Sequence, residues 1–126
     1  MKVSILICTY NSWKYILSTI SSVLVQKFFN FELLILDNNS SDNTVKNILS
    51  FNDERIKLFR SEKNYWPYAG LNYLLEKSNW EYIAILDHDD LWASDKLEKQ
   101  VNFLNKNSNY IWCWTRTFMY YESDSK

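Results

Sequence analysis

The sequence predicts an α/β domain built on a mostly parallel sheet, and two of its features lead to that prediction. Short apolar runs typical of buried strands alternate with stretches in which apolar residues recur every three or four positions, as in amphipathic helices. Most of these apolar runs end abruptly in polar residues. Strands that alternate with helices in this way form βαβ units, whose strands lie parallel to one another.

The chain opens with a strand predicted at residues 3–8, which are mostly apolar and partly β-branched. From Trp13 onwards, apolar residues recur at intervals of three and four, which predicts an amphipathic helix. Asn11 or Ser12 is expected to cap this helix, because either side chain can accept a hydrogen bond from a backbone N–H. The chain therefore begins with a β-α unit.

A second β-α unit follows the first. Residues 31–36 repeat the apolar character of the first strand and stop at a run of Asp, Asn and Ser, whose side chains favour turns and caps. A short helix is predicted at residues 44–50, and Asp42 is expected to stabilise its start. Residues 56–59 predict a third and shorter strand.

The second half of the chain continues the alternation. Pro67 suits the first turn of a helix, since a proline there removes no hydrogen bond. Five consecutive apolar residues at 82–86 predict a central strand that is covered on both faces. A last helix is predicted around residues 97–104, and residues 110–115 predict a last strand. Its two tryptophans share one face, which is expected to lie in the core or against a partner, with stacking on a sugar as the alternative.

Composition excludes several classes of protein. The 126 residues suffice for one domain, and a formal net charge of −1 predicts no surface for nucleic acid or an anionic membrane. A single glycine rules out the glycine-rich loops of P-loop and dinucleotide-binding proteins. No apolar run has the length of a signal-peptide core or a membrane span, and Cys8 and Cys113 lie in apolar runs. We therefore expect a cytoplasmic protein with reduced cysteines.

The polar cluster after the fourth predicted strand is the most informative stretch. Its residues are Asp87, His88, Asp89 and Asp90. Three carboxylates this close repel one another unless a cation lies among them, and hard cations such as Mg²⁺ or Mn²⁺ prefer oxygen ligands. The cluster predicts a metal and phosphate site, although aspartates between a strand and a helix also serve as ordinary helix-start residues. His88 is interpreted as a bystander rather than a metal ligand.

Polar residues end the first two predicted strands as well. The carboxyl ends of parallel strands lie along one edge of a sheet, where ligands bind in open α/β folds. The turns at residues 9–11, 37–39 and 87–90 are therefore expected to meet in one crevice. Such convergence favours a ligand site over three unrelated turns.

Together these motifs resemble the N-terminal, nucleotide-sugar-binding half of family 2 glycosyltransferases, which have the GT-A fold. The Thr-Tyr-Asn turn at residues 9–11, the acidic turn at 37–42 and the Asp-His-Asp-Asp cluster at 87–90 stand in the family's order, the last matching its Asp-x-Asp motif. The resemblance covers nearly the whole chain and implies a Rossmann-related three-layer αβα sandwich. It also implies a nucleotide-diphosphate sugar donor, a saccharide or lipid-linked acceptor, and a divalent cation, Mn²⁺ or Mg²⁺, as cofactor.

The resemblance also implies roles for individual residues. Asp89 would hold the metal, and Asp87 would face the donor or reach the metal through water. The cation would neutralise the diphosphate leaving group as a Lewis acid. The residues implied in nucleotide binding are Thr9, Tyr10, Asn11, Asp37, Asn38, Asn64, Asn72 and Asp87.

The chain departs from the family pattern at three positions. Asn38 stands where the family usually has a second acid, and an amide offers only its carbonyl oxygen to the imide N–H of uracil. Trp66 and Leu71 replace a glycine and an arginine of the family's Asn-x-Gly…Ala-Arg-Asn segment.

The transfer is expected to be inverting, which requires a carboxylate base for the acceptor hydroxyl. We expect residues 1–126 to be the nucleotide-sugar-binding part, with the acceptor-binding half and that base beyond Lys126.

The resemblance implies a glycosyltransferase of polysaccharide or glycoconjugate synthesis that acts at the inner face of the membrane. Two other classes of function are alternatives to it. A non-enzymatic GT-A-like binding or assembly module would dock a partner or a second copy on exposed aromatic residues and would not depend on Asp89. A phospho-receiver domain also has strand-end aspartates. It needs an acidic pair after its first strand and a lysine after its last, and the sequence has neither.

Overall fold

The structure is a computed structural model that describes residues 2–79 and 81–119. Within these residues the chain forms four strands and four helices in strict alternation. The strands are β1 (Val3–Thr9), β2 (Phe31–Asp37), β3 (Ile56–Arg60) and β4 (Tyr82–Ile85). The helices are α1 (Ile16–Leu24), α2 (Thr44–Leu49), α3 (Pro67–Lys77) and α4 (Lys96–Lys106).

The four strands form a parallel sheet in the order β3-β2-β1-β4. The two central strands, β1 and β2, pair along their whole length, from Val3 with Phe31 to Thr9 with Asp37. Every residue of β2 is buried, and in β1 only Cys8 is partly exposed. Burial on both faces explains why these two strands have nearly continuous apolar sequences. The predicted α/β class with a parallel sheet is confirmed.

Helices cover both faces of the sheet. On one face, alternate strand residues such as Ile5 and Leu33 join a core cluster with apolar residues of α1, α2 and α4. On the other face, Leu6 and Leu34 pack against Leu74 of α3. The molecule is therefore the three-layer αβα sandwich that the resemblance implied.

In the sheet that the described residues form, the fourth strand lies at an edge, so within these residues the prediction of a central strand covered on both faces is wrong. Among the described residues β4 pairs with β1 alone, and its side chains alternate between partly buried and exposed. Tyr82 and Ala84 pack against the large core cluster, whereas Ile83 and Ile85 are 39% and 58% exposed. On that face α3 packs against β1 and β2, so its residues do not bury Ile83 and Ile85.

Residues 110–115 do not form the predicted last strand; they have no regular secondary structure. A place in the core for their tryptophans is also wrong, since Trp112 and Trp114 are 60% and 83% exposed. Their burial against a partner stays a prediction. The two rings pack edge to face with their centroids 5.4 Å apart. Alternation of aromatic residues predicted a strand, but a strand forms only where a neighbouring strand supplies backbone partners.

The helix starts agree only partly with prediction. α1 begins at Ile16, three residues after the expected start, and no side chain caps it. The backbone carbonyl of Ser12 instead accepts the N–H groups of Tyr15 and Ile16 at 2.9 and 3.0 Å. Pro67 is the first residue of α3, as predicted. No helix within residues 2–79 or 81–119 is both long enough and apolar enough to cross a bilayer.

Candidate functional site

The strand order creates a crevice at the carboxyl end of β1. The chain proceeds from β1 to β2 and β3 on one side and then returns to place β4 on the other side of β1. Loops diverge at such a switch point, and ligands of open α/β sheets bind there. A cavity of about 650 Å³, within the usual size of small-molecule sites, lies at this position. It is lined by Cys8, Thr9, Tyr10, Asn38, Asn64, Tyr65, Trp66, Pro67, Leu71, Leu86, Asp87, His88 and Asp89.

Thr9, the last residue of β1, and Tyr10, the first residue after it, contribute to the cavity wall. Thr9 is buried; its hydroxyl hydrogen-bonds the hydroxyl of Ser12, and its carbonyl accepts the Asn38 N–H at 2.8 Å. Tyr10 is 44% exposed, so part of its side chain is available to a ligand. The first two turns are thus joined by a backbone hydrogen bond at the cavity.

Asn11 and Asp37 lie beside the cavity rather than among the residues that line it. Asn11 has a φ of +48°, which Asn tolerates, and its Oδ1 accepts the Ser41 N–H at 2.9 Å. Asp37 is fully buried; its carboxylate accepts the Ser40 N–H at 3.3 Å and lies 3.6 Å from the Arg60 Nε. Both side chains hold turns together, and their contact with a nucleotide stays a prediction.

Asn38 lines the cavity but is only 2% exposed, because its amide is engaged by the segment before α3. Its Nδ2 donates to the Asn64 Oδ1 at 2.9 Å and to the Tyr65 carbonyl, and its Oδ1 accepts the Tyr65 N–H at 3.0 Å. A carboxylate could accept here but could not donate. The sequence did not indicate this role, and its predicted contact with the base edge stays a prediction.

The segment before α3 supplies an aromatic wall. Tyr65 and Trp66 line the cavity and are 52% and 84% exposed. Exposed aromatic rings beside a cavity offer surfaces on which a base or a sugar ring can stack. Asn64 also lines the cavity, whereas Asn72 is exposed on α3 and is not among the lining residues.

The acidic cluster forms a turn directly after β4. Asp87 and Asp89 line the cavity and are exposed, and the Asp87 carbonyl accepts the Asp90 N–H at 3.2 Å. Burial, together with the negative charges of Asp87 and Asp89, raises the pKa of the Asp90 carboxyl. Negative charge is therefore concentrated on this wall of the cavity, as the sequence predicted.

The turn at residues 87–90 offers carboxylates to a metal but not a complete coordination sphere. In the described part of the chain, no three His, Cys, Asp or Glu side chains gather closely enough to hold an ion by themselves. Mg²⁺ bound with phosphates commonly takes one or two carboxylates from the protein, and phosphate oxygens and water complete the shell. Asp87 and Asp89 are two such carboxylates, so the donor set fits a cation that binds together with a diphosphate.

Cys8 and Gly70 make a close contact that the sequence did not reveal. A Cβ added to Gly70 would lie 2.5 Å from the Cys8 Sγ and 3.0 Å from the Leu36 Cδ2. The single glycine of the chain therefore lets α3 approach β1 closely. Burial and the nearby Asp37 charge raise the pKa of the Cys8 thiol, so this cavity-lining group is neutral at neutral pH. Both cysteines are free thiols, as expected.

Comparison with known proteins identifies the family. Residues 4–125 match the family model described as Glycosyl transferase family 2. The chain belongs to this family. The resemblance drawn from the three turns is therefore confirmed.

Two relatives of this family 2 chain are well matched. It is 42% identical over 106 residues to the Escherichia coli UDP-Glc:alpha-D-GlcNAc-diphosphoundecaprenol beta-1,3-glucosyltransferase WfgD, a match that covers 84% of the chain and 42% of that protein. It is 38% identical over 108 residues to the putative teichuronic acid biosynthesis glycosyltransferase TuaG of Bacillus subtilis (strain 168), covering 84% of the chain and 43% of the relative. The chain spans less than half the length of either relative.

Solved structures show the same fold. Residues 1–349 of S. aureus TarS in complex with UDP-GlcNAc superpose with a TM-score of 0.82 at 28% identity. This match covers 86% of the family 2 chain and 32% of the TarS chain. The mannosyltransferase PcManGT from Pyrobaculum calidifontis, in complex with GDP-Man and Mn²⁺, has a TM-score of 0.76 at 24% identity. This match covers 82% of the family 2 chain and 32% of PcManGT. The GT-A fold is thereby confirmed.

Proposed function

We propose that this family 2 chain binds the nucleoside diphosphate of a nucleotide-sugar donor in the cavity at the carboxyl ends of β1 and β4. The protein then transfers the sugar to a saccharide or lipid-linked acceptor in polysaccharide or glycoconjugate synthesis. One observation carries the proposal: polar residues from turns far apart in sequence line a single cavity at the switch point of the sheet.

The names of the relatives support a more specific proposal for the classes of donor and acceptor. The Escherichia coli relative is named for a UDP-glucose donor and a diphosphoundecaprenol-linked acceptor, and the TarS structure contains UDP-GlcNAc. We therefore favour a uridine diphosphate sugar as donor and a lipid-linked saccharide as acceptor. The exposed rings of Tyr10, Tyr65 and Trp66 are proposed to stack on the base or the sugar.

Asp89 and Asp87 are the residues proposed to hold a divalent cation. Both are exposed carboxylates on the cavity wall, and hard cations prefer such oxygen ligands. When bound, the cation supplies Lewis-acid stabilisation of the charge that develops on the diphosphate leaving group. Carboxylates and a diphosphate are all negatively charged, so a cation between them favours their approach, and we expect binding of cation and diphosphate to be mutually dependent.

Inverting transfer, which we also propose, needs a separate carboxylate that accepts the proton of the acceptor hydroxyl. Among the cavity-lining residues that the structure describes, the carboxylates are Asp87 and Asp89, and both are assigned to the cation. The base is therefore assigned to no residue of the described part of the chain.

Calorimetry with UDP, GDP and dTDP, each with Mn²⁺, with Mg²⁺ or with EDTA, tests donor binding. We expect saturable binding of UDP that depends on the cation, and a thermal midpoint several degrees higher at saturation. Asp89→Asn should abolish the dependence on the cation, because an amide is a weaker ligand and carries no charge. Release of UDP from a UDP-sugar when an acceptor is added would then measure transfer.

Glu98→Gln is the matched control, since this exposed carboxylate on α4 is not among the cavity-lining residues. It should bind nucleotide like the unmodified protein. Binding that is unaffected by both EDTA and Asp89→Asn would refute the metal assignment. Absence of binding to all three nucleotides would refute the donor site and would favour a binding or assembly module.

A further inference from the structure

Helix α1 and the residue pair after it carry a line of polar side chains on their buried side. Thr19, Ser22 and Gln26 follow one another at intervals of three and four, and Thr19 and Gln26 are 0% and 1% exposed. Their neighbours Ile20 and Val23 belong to the main core cluster. Polar groups in such surroundings are unfavourable unless they are hydrogen-bonded, so their partners indicate why they are there.

The partners of Thr19 and Ser22 lie on the acidic loop, residues 86–95, which joins β4 to α4. The Thr19 hydroxyl donates to the His88 carbonyl at 2.9 Å, across 69 positions of sequence. The Ser22 hydroxyl accepts the Trp92 N–H at 3.1 Å and donates to the Thr19 carbonyl at 2.7 Å. The peptide group of His88, between Asp87 and Asp89, is therefore tied directly to α1.

Gln26 hydrogen-bonds the C-terminal part of the acidic loop and the first turn of α4. Its Nε2 donates to the Ala93 carbonyl at 2.7 Å, and its Oε1 accepts the Leu97 N–H at 3.1 Å. The neighbouring Lys27 N–H donates to the Ser94 carbonyl at 2.8 Å. The stretch from His88 to the first turn of α4 is thus hydrogen-bonded at several points to one continuous row on and just after α1.

Besides the row on α1, the acidic loop is held by Leu86, which is buried, and by Trp92, which packs against the main core cluster. Residues 86–95 form turns and irregular structure rather than helix or strand, and Asp87 and Asp89 are exposed. A carboxylate pair in this setting is mobile unless its backbone is anchored, and a mobile pair must be ordered when a ligand binds. Between Asp87 and Asp89, the row on α1 supplies that anchor through the His88 carbonyl. It also connects this wall of the cavity to the turn after β1, from which α1 begins.

We propose that Thr19 is a positioning residue that orients the backbone between Asp87 and Asp89 for cation-dependent nucleotide binding, with Ser22 and Gln26 holding the rest of the loop. This inference rests on the proposed donor site. It assigns Thr19 no contact with the ligand: its hydroxyl acts through the His88 carbonyl.

Thr19→Val tests the proposal, because valine keeps the shape of threonine and removes the donor. We expect affinity for UDP with Mn²⁺ to fall about five- to tenfold, the range of one hydrogen bond, while any weak binding in EDTA is unchanged. Thr19→Ser restores the hydroxyl and should restore the affinity. Ser21→Ala is the matched control, because the Ser21 hydroxyl donates within α1 to the Leu17 carbonyl.

Hydrogen exchange of the ligand-free protein keeps this test independent of the proposed function. Thr19→Val should accelerate amide exchange in residues 87–93 and leave β1 unchanged, whether or not any nucleotide binds. Unchanged exchange in residues 87–93 would overturn the proposal. So would an equal loss of affinity with Mn²⁺ and in EDTA, or a loss that Thr19→Ser does not restore, since these indicate a general structural defect. If the unmodified protein binds no nucleotide, only the donor site fails.

Discussion

The side chain of Asn38 hydrogen-bonds both main-chain groups of Tyr65. Its Oδ1 accepts the Tyr65 N–H at 3.0 Å, and its Nδ2 donates to the Tyr65 carbonyl. The first residue after β2 thereby holds the aromatic segment before α3 against the cavity. An amide combines a donor and an acceptor on one planar group, whereas a carboxylate can only accept, so the pair requires Asn rather than Asp at position 38.

Asn38→Asp should weaken both the fold and the site. A carboxylate oxygen would replace the Nδ2 and face the Tyr65 carbonyl, so a hydrogen bond becomes a repulsion. We expect the free energy of unfolding to fall by about 1–3 kcal/mol, measured by urea denaturation, and UDP affinity to fall with it. Asn39→Asp is the control, because Asn39 is exposed. Equal effects of the two substitutions would contradict this account.

Gly70→Ala should destabilise the protein despite the higher helix propensity of alanine. The new methyl group would lie 2.5 Å from the Cys8 Sγ, so α3 must move away from β1. Overpacking of this kind costs about 1–3 kcal/mol, whereas the propensity gain is about 1 kcal/mol. Adding Cys8→Ala should recover part of the loss. Urea unfolding of both single variants and the double variant measures the coupling, and simple additivity would exclude a direct clash.

Alkylation of Cys8 should report occupancy of the cavity. The raised pKa of its thiol lowers the thiolate fraction at neutral pH, so its reaction with iodoacetamide should be slow at pH 7 and rise as the pH is raised. UDP with Mn²⁺ should slow the reaction further, because Cys8 lines the cavity. Cys113 is the internal control, since it is not a cavity-lining residue. Mass spectrometry of the two cysteine peptides gives both rates, and equal rates for Cys8 with and without ligand would place the ligand elsewhere.

Lys57→Met should lower stability without changing nucleotide affinity. The Glu32 side chain is buried near the start of the strands, where it accepts the Ser4 hydroxyl at 2.7 Å and pairs with the Lys57 Nζ at 2.8 Å. Loss of Lys57 leaves a buried carboxylate with one donor, and we expect a loss of about 1–3 kcal/mol in urea unfolding. The exposed Lys46→Met is the control. A parallel loss of UDP affinity would show that the two ends of the sheet are coupled.

Much of the fold was predictable because it depends on local periodicity. The apolar runs of β1 and β2 and the helical spacing in α1 and α4 reflect the faces that each element buries, and these faces repeat with the period of the strand or helix. The polar turns after β1, β2 and β4 were also recognisable. Their convergence followed from parallel topology, since all carboxyl ends lie at one edge of the sheet.

The neighbours of each element were decided only by the tertiary structure. The apolar run of β4 did not show that it lies at an edge of the sheet, and the aromatic alternation at 110–115 did not show that it has no partner strand among the described residues. The hydrogen bonds between Asn38 and Tyr65 and between Thr19 and His88 could not be predicted from local sequence patterns, because the two pairs lie 27 and 69 positions apart. The spacing of apolar residues in the sequence indicates which face of a helix or strand is buried. Which segment packs against that face depends on contacts between residues far apart in the chain, and only the tertiary structure shows them.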